Sequence, residues 1–290
     1  MRITAVFVFL FALCSAAQAE PPTAMWVDAR GDRLFIELSS LPPDDVAKIH
    51  KWLDSAESPE TDEDGYILYP KALAEVKLPT KAGDEWTILS PEGQSKATVE
   101  TILLGRGASE YHIIAKAKTA KVPDGVLLGF PPGATVKPQK LTAPAAVTEK
   151  LAKEARKRFT KELTKAAAPK AAKAAAAAGG RPKAFERFAG KFADGAEEFV
   201  TFEVKKKNQF PDVERLTGAV FAKRDGSITH AYYPPDFRID RVTLLAVVDL
   251  EGDGFDELVV CSHYYEGSYY SLVFWDGKTW QSRGLAGDGA

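Results

Sequence analysis

The sequence predicts a mainly β protein: two small β-rich domains joined by one long Ala/Lys-rich helix, α+β overall. Three observations carry this. Runs rich in β-branched and aromatic residues, cut by Gly, Pro, Asp and Ser turns, fill residues 86–130 and 198–280. Residues 144–178 change abruptly to mostly Ala, Lys, Glu and Arg, strong helix formers, with Pro144 at the start and Pro169 as a break. Charge follows the same blocks: residues 20–140 carry 14 Lys and Arg against 19 Asp and Glu, 141–183 carry 11 against 3, and 184–290 carry 12 against 18. The expected organisation is therefore a leader over 1–19, an N-terminal domain over 20–140, a basic helical linker over 141–183 and a C-terminal domain over 184–290.

In chain order, Met1-Arg2, the apolar run from Ile3 to Leu13 and the Ala17-Gln18-Ala19 ending form a cleavable secretory signal. The mature chain is expected in the periplasm or secreted, and no later apolar run is long enough to cross a bilayer. With Cys14 leaving with the signal, Cys261 is the one remaining thiol, so an internal disulfide is excluded. Its place after Val259-Val260 reads as a buried, inert thiol.

Residues 33–38 read as a strand. Val46, Ile49, Trp52 and Leu53, behind Pro42-Pro43-Asp44-Asp45, read as a short amphipathic helix with His50 off the apolar stripe and exposed. Glu60, Asp62 and Asp64 alternate before Gly65, but the ninth position from Glu60 is Leu68, so a solvated acidic turn is preferred to a second cation loop. Strands follow at 86–89, 97–104, 111–115 and 126–130, with Ser90-Pro91-Glu92-Gly93 turning the first pair. The linker helix has Glu149/Lys153 and Glu154/Arg158 in the favourable i,i+4 order and reads as a semi-rigid stalk between domains, with contact to an anionic surface as the alternative its excess of basic residues allows. Strands are expected over 198–204, 218–222, 228–233 and 242–248, and disorder over 284–290.

The most specific chemistry lies in Asp249-Leu250-Glu251-Gly252-Asp253-Gly254-Phe255-Asp256-Glu257-Leu258. Oxygen ligands at positions 1, 3, 5 and 9, with a backbone carbonyl at 7, suit a hard cation such as calcium. They are Asp249, Glu251, Asp253, Glu257 and the carbonyl of Phe255. Gly252 and Gly254 allow the sharp turns that aim alternate side chains at one point. Apolar, β-branched residues on both sides give strand, loop, strand, and position 12 is Val260 where an EF-hand needs Glu. The stretch resembles the FG-GAP or VCBS-type calcium repeat of integrin-α-like proteins, whose loop reads roughly D-x-[DN]-G-D-G-x-x-[DE]-[LIV]. The likeness covers about 245–280 in a single copy, with Glu251 standing where the family has Asp or Asn. It implies calcium held mainly for structure, in extracellular β-rich proteins that bind other proteins or glycans.

Downstream, His263, Tyr264, Tyr265, Glu266, Tyr269 and Trp275 form an aromatic hairpin that is either a ligand surface or ordinary sheet packing. The four histidines make no HExxH pattern, and no G-x-S-x-G, Walker or dinucleotide motif occurs. The leading functional expectation is an exported, calcium-stabilised binding protein whose partner is an envelope or extracellular protein or glycan. An exported polysaccharide hydrolase and a purely structural stalk protein stand as alternatives.

Overall fold

The computed structural model describes residues 23–38, 43–106, 111–134, 136–137, 141–146, 181–205, 215–232, 241–264 and 267–288. Among these residues the chain is mainly β with a single α-helix, in agreement with the fold class read from the sequence. No helix among them is long and apolar enough to cross a membrane.

The first half closes a barrel. Its strands are β1 (Met25–Arg30), β2 (Arg33–Glu37), β4 (Glu85–Ser90), β5 (Gly93–Arg106), β6 (Tyr111–Thr119) and β7 (Leu127–Phe130), with β3 (Ile67–Leu68) added beside β5. The order β5-β4-β7-β1-β2-β6 is antiparallel throughout, and β6 pairs back onto β5, which removes the open edges. Period-two alternation sets the inside: Met25, Val27, Leu34, Ile36, Ile113, Ala115 and Ala117 join Trp86 and Ile88 in one core. The buried Trp86 indole donates to Thr80 Oγ1 at 2.9 Å, so its one polar atom is satisfied. Helix α1 (Pro43–Ser55) packs on this core through Ile49, Trp52 and Leu53, the stripe expected from sequence. His50 is half-buried rather than exposed.

The second half is a sandwich. One sheet contains β8 (Ala145–Ala146), β9 (Arg181–Ala189), β10 (Glu198–Lys205), β11 (Arg215–Ala222) and β12 (Ile228–Tyr232); the other is a meander of β13 (Arg241–Val248), β14 (Glu257–Tyr264), β15 (Gly267–Trp275) and β16 (Trp280–Asp288). Phe192, Phe199, Phe221, Leu258, Val260 and Val273 fill the space between them. The opposite face of the meander, with Val259, Leu272 and Leu285, shares a second core with Trp26, Leu89, Leu128 and Phe130 from the outside of the barrel. Thr142 and Val247 exchange two backbone hydrogen bonds of 2.9 Å across the same seam. The meander is thus a middle layer, and β14, covered on both faces, carries the apolar run Leu258-Val259-Val260-Cys261 for that reason.

Three sequence expectations are revised or lie outside. Residues 284–288 are strand, not disorder: β16 runs to Asp288 because Leu285, 1% exposed, anchors it in the seam core. Gly287 is needed there, since a Cβ at that position would stand 2.2 Å from the Tyr269 ring. Ala145 and Ala146, expected to begin the linker helix, pair instead with Ala189 and Phe188. The rest of that helix, residues 147–178, lies outside the described residues.

Candidate functional site

The loop between β13 and β14 is held by its own carboxylates. Strand pairing ends at Val248 and Glu257, leaving 249–256 to turn the chain. Gly252 and Gly254 adopt φ of 64° and 90°, the left-handed conformations expected of them. Asp249 Oδ2 accepts from Gly254 N–H at 2.9 Å, Asp253 Oδ1 from Phe255 N–H at 2.8 Å, and Glu257 Oε2 from Leu250 N–H at 2.6 Å. These bonds satisfy the turning backbone and commit one oxygen of each carboxylate.

Among the described residues, no ion pair reaches the remaining oxygens. Asp249 Oδ1 is buried with no hydrogen-bond partner, an arrangement that costs free energy unless something else meets it. Glu257 is 4% exposed. Burial, against the opposing Leu250 N–H bond and with help from the charges of Glu251, Asp253 and Asp249, pushes its carboxyl up to about 8. Glu251 is raised too, first by burial and then by Asp253 and Asp249. Burial thus leads the rise of both glutamates, and neighbouring acids add to it. Among the described residues, however, no three acidic, His or Cys side chains stand close enough to share an ion. The donor set fits a hard cation in chemistry and in the orphaned Asp249 oxygen. Lys137 reaches the loop only at the Gly252 carbonyl, 3.1 Å away.

Asp256, the one loop acid not expected to face an ion, has a different task. Its Oδ2 accepts from Lys191 N–H at 2.8 Å and its own N–H donates to the Lys191 carbonyl at 2.8 Å, tying the loop to the chain beyond β9. Phe255 is 38% exposed, with the Lys191 ammonium 5.6 Å from its ring centre.

The acidic turn at 60–66 makes an instructive contrast. Asp62 Oδ1 accepts from the N–H groups of Asp64 and Tyr66, and the Lys116 ammonium bridges Asp64, Glu63 and Asp62 at 2.6, 3.0 and 3.2 Å. Here the chain supplies its own cation. Hydrogen bonding to Asp64 above all, then to Glu63 and Asp62, raises the lysine above its ordinary range despite burial.

The aromatic hairpin is divided by the pleat. Tyr264 and Tyr269 stack with centroids 5.1 Å apart, Tyr269 being 42% exposed. His263 lies on the other face, its Nδ1 2.9 Å from Ser268 Oγ. Trp275 closes the far end of β15, edge-on to His230 at 4.9 Å and to Trp280 at 5.7 Å. Tyr265 and Glu266 lie outside the described residues. Cys261 is buried and its thiol is pushed up by burial, as an inert thiol should be.

Sequence reading overlooked a second polar constellation, Trp26, Asp28 and Arg30 with Glu37 and His112, which lines a cleft beside the seam. The signal was present: apolar Met25 and Val27 alternate with Trp26, Asp28 and Arg30, the period of a strand with a functional outer face. No protein-family model, curated protein or solved structure matches the chain, so the calcium-repeat resemblance rests on the loop residues themselves.

Proposed function

We propose that this is an exported, calcium-stabilised binding protein, in which calcium joins the loop of Asp249, Glu251, Asp253 and Glu257, with the Phe255 carbonyl as a further ligand. The observation that carries the reading is the buried, partnerless Asp249 Oδ1 at the first position of a loop whose spacing suits that ion. Calcium would supply the positive charge that Lys116 supplies at the acidic turn. Its role here is structural: the loop caps two strands of the middle layer, so holding it closed holds β13 against β14 and both cores that the layer serves.

Thermal unfolding of the full chain tests this, since the seam core joins both halves. A ligand confined to the folded state stabilises by about 2.7 kcal/mol at a hundred times its dissociation constant. The expected rise in melting temperature is roughly 4–5 °C for a protein of this size. Asp253→Ala should abolish most of it. Asp256→Ala should lower stability equally with calcium and with chelator, because it removes the Lys191 tether and not a ligand. Identical melting with calcium and chelator would contradict the proposal.

The loop also has a pH signature in chelator. The Glu257 carboxyl lies near 8 in the folded protein, above its ordinary 4.5. Between those values the folded state keeps a proton that the unfolded chain has released. Stability from this group is thus complete below about pH 4.5 and is lost as pH rises towards 8. Melting curves at pH 5 and pH 8 check the slope; Glu257→Gln should flatten it, and an unchanged slope in that variant would refute the assignment.

A further inference from the structure

A cleft of about 300 Å³ opens where the outer face of the barrel meets the middle layer. We infer that it is a saccharide site, taking one or two neutral sugar rings. The volume is at the lower end of the roughly 300–1,000 Å³ common for ligand sites. The cleft is built by strands, not by loops alone: Trp26, Asp28 and Arg30 stand on alternate positions of β1, with Glu37 of β2 and His112 of β6 beside them. Tyr270 of β15 belongs to the other side of the seam.

Its chemistry combines two elements. The first is aromatic: the half-buried Tyr270 and Tyr66 rings line the cleft, Tyr270 being held in place by stacking at 4.1 Å and 20° on Trp26, which is 9% exposed and belongs to the seam core. Such rings offer apolar surface with polar tips, which suits the C–H faces and hydroxyl edges of a sugar. The second is a set of charged groups that are already held in place. Asp28 Oδ1 accepts from the Trp26 indole at 2.9 Å, its Oδ2 lies 3.5 Å from Arg30 Nη2, and Arg30 also donates to the Tyr66 hydroxyl. Glu37 Oε1 and His112 Nδ1 are 2.6 Å apart.

These groups are fixed without being used up. The side chains of Asp28 and Arg30 remain 47% and 53% exposed, so each can exchange water for a ligand hydroxyl without leaving a buried charge unpaired. A carboxylate accepts through two oxygens with about four lone-pair sites, and a guanidinium offers five N–H donors. Acceptors and donors side by side match vicinal hydroxyls, each of which both gives and takes a hydrogen bond. Asp28 and Glu37 outnumber Arg30 by one, with His112 2.6 Å from Glu37, so the cleft carries at most one net negative charge and does not favour an anionic ligand. The inference gives a ligand class to the binding-protein reading, yet the site shares no residue with the calcium loop.

Titration calorimetry on the full chain tests it, with cellobiose and N,N′-diacetylchitobiose as neutral probes and glucuronate and glucosamine as charged ones. At least one neutral disaccharide should bind saturably at millimolar concentration or below. Asp28→Asn keeps an acceptor for the Trp26 indole, and Arg30→Gln keeps a donor; each should weaken binding about tenfold by removing a charge-assisted hydrogen bond, with melting temperature unchanged. No saturable binding, binding of the charged probes alone, or equal binding by both variants would overturn the inference. Repeating the titration in calcium and in chelator separates the two claims. Sugar binding without a calcium shift leaves the cleft standing, and a calcium shift without sugar binding sinks the cleft alone.

Discussion

Replacing Lys116 by methionine should destabilise the protein by about 3 kcal/mol, the lower end of what removing one partner from a buried ion pair costs. Lys116 and Asp62 side chains are 7% and 10% exposed, so Asp62 would be left a nearly buried charge without its partner. Glu63 and Asp64, 80% and 46% exposed, recover part of their hydration and keep the loss from growing further. Methionine preserves most of the apolar stem that lies beneath the ammonium, so packing changes little. Urea unfolding of Lys116→Met, Asp62→Asn and the double variant separates the contributions: the double variant should regain more than half the loss. If Lys116→Met costs less than about 1 kcal/mol, the turn is an ordinary surface loop and the ammonium is incidental.

Phe221→Ala should cost about 3–5 kcal/mol, the range for removing a fully buried aromatic ring. Phe221 is 0% exposed at the centre of the sandwich. It stacks on Trp280 at 3.8 Å and 5°, and meets Phe192 and Phe199 edge-on at 5.5 and 5.2 Å. These rings come from both sheets, so no small movement of one strand refills the space. The denaturation midpoint should fall with the slope of the transition preserved. Phe221→Leu, which refills much of the volume, should recover a large part of the loss; a null effect of Phe221→Ala would mean the two sheets are not held by this cluster.

The parts that were legible in the sequence are those encoded by local spacing. The calcium-type loop was read from alternate carboxylates and two glycines, and the glycines do take the left-handed conformations. Helix α1 was read from Val46, Ile49, Trp52 and Leu53 behind two prolines, and β14 from its apolar run. Barrel closure was not legible, because the pairing of β6 with both β2 and β5 is set by register between distant segments. Strand β1 escaped notice since its outer residues, Trp26, Asp28 and Arg30, serve the cleft and dilute its apolar content. The end of β16 looked disordered by composition, yet its glycine makes room for Tyr269 and its Leu285 fills the seam. The lysine that meets the acidic turn comes from 52 residues beyond Asp64, which no local motif reveals.

Equilibrium dialysis of the full chain against radioactive calcium at pH 7.5 shows whether residues 249–257 hold the ion. One ion per chain is expected, lost in both Asp249→Asn and Asp253→Ala and retained in Asp256→Ala and Asp62→Asn. Finding no bound calcium, or the same stoichiometry in Asp249→Asn and Asp253→Ala as in the parent chain, would contradict the calcium proposal.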